Sequence, residues 1–325
     1  MKSKISALFL ALIPIFSVAQ SYAPAAGLPG STAIHKNSPL FVQWANGITV
    51  ERGLIDKSNP AASASGSSYA TFGLPNDALG SPSGSVVSLG DGGFAILTFA
   101  TPISNRPGFD FAVFENGSTA YLELAFVEVS SDGVHYFRFQ NHSQTQTQNQ
   151  LSTFASPEAT YINNLAGKYS SEYGTPFNLD DLPENELLDK SNILYVKVID
   201  VVGSINPVFA SYDSYGNAIN DSFPTPFNSG GFDLQGVGVL DMTLSSANFD
   251  KKNKIALYPN PSNGVVYLSN AQNAGIEIVD LNGRKVITVA HYQQQAISIS
   301  HFSKGVYLVI VTVDENAHQI KLIVN

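Results

Sequence analysis

Three carboxylates stand at the ends of apolar rows in this chain. Side chains of a strand alternate between two faces. In Phe109–Glu115, Glu115 shares a face with Phe109, Phe111 and Val113. In Leu122–Val129, Glu128 shares one with Leu122, Leu124 and Phe126, and in Ile193–Val201, Asp200 shares one with Leu194, Val196 and Val198. An ionised carboxylate buried without a partner costs several kcal/mol or more, so such groups are paired or hold a cation. Residues 20–250 carry 22 acids against only eight Lys and Arg. A structural hard cation with oxygen ligands, calcium above all, is the expected remedy. Two alternatives stay open: the acids emerge into water at a sheet edge, or they are buried and hydrogen-bonded.

A second chemistry for such acids is glycoside hydrolysis, which needs two carboxyls ~5–9.5 Å apart across a cleft. Glu115 and Glu128, on adjacent candidate strands, are the pair to test. Trp44, Tyr169, Tyr173, Tyr212 and Tyr215 could stack on a sugar ring, or they pack in the core as most large aromatics do. Other chemistries lack their residues. The chain has no cysteine, which removes disulfides, thiolate metal sites and a cysteine nucleophile. Its six histidines form no His-Glu-x-x-His, and no Gly-x-Ser-x-Gly elbow exists. Gly90-Asp91-Gly92-Gly93 lacks the Lys-Ser/Thr of a phosphate loop, and Asp213–Asn217 lacks the spacing of an EF-hand and reads as a turn. A net charge of −9 argues against nucleic acid.

The elements that must position these acids are strands. Apolar residues are 44% and charged residues 13%, a globular balance, and Gly, Pro and aromatics are plentiful. Phe94–Phe99, Phe109–Glu115, Leu122–Val129, Tyr136–Phe139, Ile193–Val201 and Phe232–Leu240 are rich in aromatic and β-branched residues. Asp132-Gly133 reads as a hairpin turn, and Gly92-Gly93 and Gly230-Gly231 punctuate strand starts. Ser38-Pro39 before Leu40–Ala45 and Ser156-Pro157 before Ala159–Leu165 have the form of helix starts. Gln144–Gln150 reads as a solvated loop. The expected fold is all-β: a jelly-roll-like sandwich body with short helices, large enough to bury a core without staples.

The chain ends carry address-like features. Lys2 and Lys4, an apolar run from Ile5 to Phe16 and then Ser17-Val18-Ala19 form a secretory signal over residues 1–19. Twelve apolar residues are too few to span a bilayer core, which needs about 20. Residues 251–325 are net +3 while residues 20–250 are net −14, which favours two separately built units. The expected division is a body at 20–246, a linker at 247–254 and a tail at 255–325. Ile255–Leu257, Val265–Leu268, Gly275–Val279, Lys285–Val289, Ala296–Ile299, Val306–Val313 and Gln319–Val324 are short strand candidates, with Asn263-Gly264 and Asn282-Gly283 as hairpin dipeptides. They fit a small immunoglobulin-like antiparallel sandwich.

Tyr258-Pro259-Asn260-Pro261-Ser262-Asn263-Gly264, Ile278-Val279-Asp280-Leu281-Asn282-Gly283-Arg284 and Lys304-Gly305-Val306-Tyr307-Leu308 occur in that order before a Lys-Leu-Ile-Val ending. This set resembles the type A C-terminal sorting domain of the type IX secretion system of Bacteroidota. The resemblance implies passage through the inner membrane by the signal peptide and through the outer membrane by recognition of the tail. It also implies removal of the tail by a sortase-like protease, with the cargo released or attached to surface lipopolysaccharide.

Body segments including Leu89–Gly93, Phe109–Asn116, Ala125–Gly133, Asn164–Tyr169, Ile199–Gly203 and Gly230–Leu234 resemble a group of secreted bacterial cell-surface proteins without a settled activity. That resemblance makes Asp91, Asp110, Glu115, Asn116, Glu128, Asp200 and Asp233 the candidate cation ligands. The expected protein is an exported surface module, a cation-stabilised binding or structural sandwich with a glycan or small-molecule ligand, rather than an enzyme. The alternative is a secreted carbohydrate-active enzyme using a carboxylate pair.

Overall fold

The computed structural model describes residues 22–118, 120–243, 255–280, 283–313 and 316–325. The expected signal peptide (1–19) and linker (247–254) lie outside the described residues. The chain divides into two compact units at Met242/Thr243.

Among the described residues, thirteen strands build the body: β1 (Ile34–His35), β2 (Phe41–Trp44), β3 (Gly47–Glu51), β4 (Val87–Ser88), β5 (Phe94–Ile103), β6 (Phe111–Glu115), β7 (Ala125–Ser130), β8 (Phe137–Arg138), β9 (His142–Ser143), β10 (Ile162–Asn163), β11 (Tyr173–Phe177), β12 (Ile193–Asp200) and β13 (Asp233–Leu240). One main sheet has the order β1-β11-β6-β13-β2, with β4 also on β13; a second runs β3-β5-β12-β7-β8, and β9 pairs with β10 apart from both. Alternation explains why the two main sheets face each other. Ala95, Leu97, Val127, Val129, Val196 and Val198 turn inward from the second sheet. They meet Phe111, Val113, Leu234, Val237 and Val239 from the first in one buried core. On the outer face of the first sheet, Phe41 and Trp44 cover Phe114, with ring centroids 5.6 and 5.5 Å away. Gly238 lets them approach: a Cβ there would meet the Phe41 ring at 2.6 Å.

The expected short helices are corrected. Leu40–Ala45 is not helical; its Phe-Val-Gln-Trp segment is β2, antiparallel to β13. The Ser38-Pro39 device works as a turn instead, with Phe41 N–H donating to the Ser38 carbonyl. Aromatic residues with an open strand edge to join prefer the ladder, and pairing overrides the cap signature. After Ser156-Pro157 comes only a 3-10 turn at Ala159–Tyr161, followed by β10. Two further 3-10 turns lie at Pro75–Ala78 and Leu179–Asp181.

Among the described residues, the tail unit has seven strands: β14 (Ala256–Tyr258), β15 (Val265–Ser269), β16 (Gly275–Val279), β17 (Lys285–Val289), β18 (Ile297–Ser298), β19 (Gly305–Val313) and β20 (Asn316–Val324). They form sheets β14-β15-β18 and β17-β16-β19-β20. Val266, Leu268, Ile276, Ile278, Val309, Val311 and Leu322 fill a core of their own. Gly283 has φ +77°, as a hairpin turn requires. Asn263-Gly264 is a correction, since neither residue has positive φ. That loop is held from outside: Asn260 Oδ1 accepts from Ile323 N–H at 2.9 Å, and its Nδ2 donates to the Lys321 carbonyl at 2.6 Å. The amide of Asn260 thereby takes the place of a strand residue beside β20.

Candidate functional site

One end of the body sandwich collects carboxylates. β6 ends there with Glu115, β12 ends with Asp200, β13 begins with Asp233, and Asp91 follows β4. Glu123, just before β7, and Asp221, in the loop between β12 and β13, join them. Glu115, Glu123, Asp91, Asp200 and Asp221 are all buried.

Three of these acids, Asp200, Asp221 and Asp91, fasten loops. Asp200 accepts Gly92 N–H at 2.9 Å and Phe232 N–H at 2.7 Å. Asp221 accepts Leu124 N–H at 2.7 Å and Ser222 N–H at 2.7 Å. Asp91 accepts Lys57 N–H at 2.6 Å, and Ser88 Oγ donates to Asp233 Oδ1. Glu115 is different: its Oε2 is buried without a well-aligned hydrogen-bond partner, and the nearby Gly117 and Asn116 N–H groups only partly offset its burial. The side-chain oxygen of Gln235, on the same end of β13, is also buried without a donor, while its Nε2 donates to Asn116 Oδ1 at 3.2 Å. Gln235 sits where the β13–β6 register shifts, between Leu234 and Gly236.

Burial pushes every one of these carboxyls up, and the cluster adds to it. Glu115 is raised well above the usual range by burial and then by Asp233. Glu123 is raised by burial and then by Glu115, Asp233, Asp221 and Asp200. Asp200 is raised by burial and then by Asp91. Burial takes Asp221 to about 7. Asp233 reaches about 6, burial outweighing Ser88 and Arg52, and Asp91 about 6, burial outweighing the Lys57 N–H. Among the described residues none of the six makes an ion pair with Lys, Arg or His. Nor do three Asp, Glu or His side chains there form a ready-made metal cage.

The remaining sequence candidates go elsewhere. Asp110 lies at the opposite end, holding Arg106 N–H at 2.8 Å and Leu179 N–H at 2.7 Å. Glu128 points out of β7 and pairs with Arg138 at 2.7 Å. The adjacency of Glu115 and Glu128 is corrected: β6 and β7 belong to different sheets, Glu115 is buried, and Glu128 is paired with Arg138. Tyr169 is buried and Trp44 is half-buried on the outer face of the first sheet, whereas Tyr212 and Tyr215 are exposed. Asp213 fastens its turn by accepting Tyr215 and Asn217 N–H groups. Burial raises its carboxyl, but these and the Ser143 N–H outweigh burial and the net shift is downward.

Glu123 and Asp221 escape strand periodicity. Residue 123 precedes β7, where alternation does not yet apply, and Asp221 lies in a loop with no period at all. A pocket of about 260 Å³ opens beside them, lined by Tyr121, Glu123, Phe154, Phe227, Ser229 and Asp233.

The backbone under this end is tight. Gly167 has φ +80°, and a Cβ there would sit 1.7 Å from the Glu123 carbonyl oxygen. Gly167→Ala is expected to cost at least about 3 kcal/mol in urea unfolding, combining backbone strain with a clash that no side-chain motion relieves. Gly216→Ala, at φ +83° with nothing within 4 Å, is the control and should cost only about 1 kcal/mol. Equal losses would remove the close approach as the cause.

Comparison with known proteins bears on the tail. Residues 256–325 match the family model of the secretion system C-terminal sorting domain. The tail is a type IX secretion sorting domain. The protein that carries this sorting domain is a secreted or cell-surface β-sandwich protein delivered by it. No curated protein matches the chain. Among solved structures, a biofilm-associated protein's BSP domain aligns at 12% identity over 71% of this chain and 48% of that one, with a TM-score of 0.19. The chain thus spans about half of that structure's length, and so low a score says nothing about the body's ligand. No helix in the described residues is long and apolar enough to cross a membrane.

Proposed function

We propose that the body is a surface-displayed binding or structural module whose acidic end holds a hard divalent cation of the calcium class. Its two sheets are read as a jelly-roll-like sandwich, and its tail as an immunoglobulin-like one. The observation that carries the cation is the orphaned Glu115 Oε2, buried among Glu123, Asp221 and Asp233 with no ion pair. Such an oxygen needs a proton or a cation. Glu115, Glu123 and Asp233 supply the hard charged oxygens that calcium takes, and the free Gln235 oxygen is a neutral donor of the same kind. Asp200 and Asp221 add field while their oxygens hold loop amides. The carboxylates are not drawn into a cage before the ion arrives, so binding and local ordering go together. The sorting domain brings its own partners, the type IX machinery and a sortase-like protease that removes it.

The test is thermal. With calcium at about one hundred times Kd, a cation bound only by the folded state adds about 2.7 kcal/mol. For a body of this size that raises Tm by about 5–10 °C over chelator. The shift should vanish in Glu115→Gln. Identical Tm values in calcium and chelator would remove the cation from the account.

A further inference from the structure

We infer that the pocket lined by Phe154, Phe227, Glu123 and Asp233 binds a primary ammonium group, carried by a free alkylamine or by a lysine side chain. The argument starts with the walls. The Phe154 and Phe227 rings stack on each other with centroids 5.8 Å apart and planes 26° apart. Yet Phe154 is 75% exposed and Phe227 39%. Large rings left this open on two different loops are unusual when the core has room for neither.

The loops carrying them are tied together. Thr153 Oγ1 donates to the Pro224 carbonyl at 2.9 Å, Phe223 N–H to the Leu151 carbonyl at 3.2 Å, and Leu122 N–H to Ser156 Oγ at 3.0 Å. The rings are therefore held as a wall rather than left to swing. Tyr121, whose hydroxyl donates to Glu123 Oε1 at 3.1 Å, closes another side, and Glu123 and Asp233 form the polar lining.

Charge selects the occupant. Glu115, Glu123, Asp221 and Asp233 crowd this end, and Arg52 is the base that acts on Asp233. The Arg52 guanidinium is spent on the carbonyls of Phe72, Gly73 and Ser88. An anion is repelled here. A neutral apolar ligand would strip water from the carboxylates and offer nothing in return. An ammonium group donates charge-assisted hydrogen bonds to Glu123 and Asp233 while its cationic head and methylenes lie against π faces. Glu123 and Asp233 are also the oxygens assigned to the proposed cation, so calcium competes with an amine here, and titration in chelator tests the ammonium reading by itself.

The experiment is calorimetric titration of the full chain with cadaverine and, in a second arm, with a short acetylated lysine peptide. It is run at roughly pH 8, where amines still carry their proton, in calcium and in chelator. 1,5-Pentanediol is the neutral control. Saturable binding of either amine, with no binding of the diol, is the expected result; the tighter arm identifies the source. Phe154→Ala and Glu123→Gln should each weaken binding about tenfold or more, while Tyr215→Ala, an exposed ring that packs on His142, should not. Phe154 is exposed enough that its loss leaves the fold intact, so it decides the matter even if Glu123→Gln unfolds. Absence of amine binding, equal binding of the diol, or affinity unchanged in Phe154→Ala overturns the proposal. Amine binding without any calcium effect on Tm would leave this inference standing and the cation reading fallen.

Discussion

Deleting residues 255–325 is expected to abolish delivery of the body to the cell surface and the medium almost completely, leaving it in the periplasm. The reason is structural as well as functional. Body and tail are separate compact units. The body core is built from β4–β7, β12 and β13 with their connecting segments, and the tail core from β14–β20 and their turns. Deletion therefore removes a folded address without opening the body's core, so misfolding should not confound the result. The checks are immunoblots of periplasm, surface and medium, with circular dichroism on the purified body. Continued surface display of a folded, truncated body would show that the address lies elsewhere.

The second large effect is a reversal in pH dependence. Asp91, Asp110 and Asp233 sit at about 6 and Asp221 at about 7 in the folded chain, all raised by burial above the ordinary Asp value. Between the unfolded and folded values the native state holds more protons than the unfolded one, so stability falls as pH rises. Without a cation, the stability these groups contribute is fully present below about pH 4 and is lost by about pH 7. Each pK unit is worth about 1.4 kcal/mol, so each group contributes about 3–4 kcal/mol at most when taken alone, and the four together set an upper bound on the order of 10 kcal/mol. A cation held by Glu115, Glu123 and Asp233 inverts their share, because protons must leave before it binds. Urea midpoints in chelator should thus drop from pH 5 to pH 8, while in calcium the drop should shrink or become a rise. Parallel curves in the two buffers would count against a cation at this end.

Asp110 and Asp91 show why acids of one type divide into roles only in three dimensions. Both follow small-residue or turn segments, and both become loop fasteners by accepting backbone N–H groups. Nothing in their neighbours along the chain distinguishes them from Glu115, whose Oε2 finds no well-aligned donor. Strand rows read by alternation were legible where strands were real. Asp200 does end the row of Val196 and Val198, and both it and they are buried. The same reasoning misplaced Glu128. Residues 122–124 lie outside β7, so the row it was given is only partly a strand, and Glu128 leaves on the outer face beside Arg138. Cap signatures failed for a related reason: Ser38-Pro39 and Ser156-Pro157 set only local turns, and long-range pairing decided what came next.

Composition and period by themselves determined an all-β chain and a separate basic tail of short strands, and the resemblance of its three ordered motifs to a known family gave its role as a sorting domain. These features are written in adjacent residues: alternation, turn dipeptides and short motifs act over a few positions of chain. Only the tertiary structure decided that β6 and β7 fall in different sheets. It alone brought Glu123 and Asp221 from irregular segments to Glu115 and Asp233, and set Phe154 against Phe227. A carboxylate's cost and a pocket's charge depend on what surrounds a group within a few ångströms, and those neighbours come from segments about a hundred residues apart.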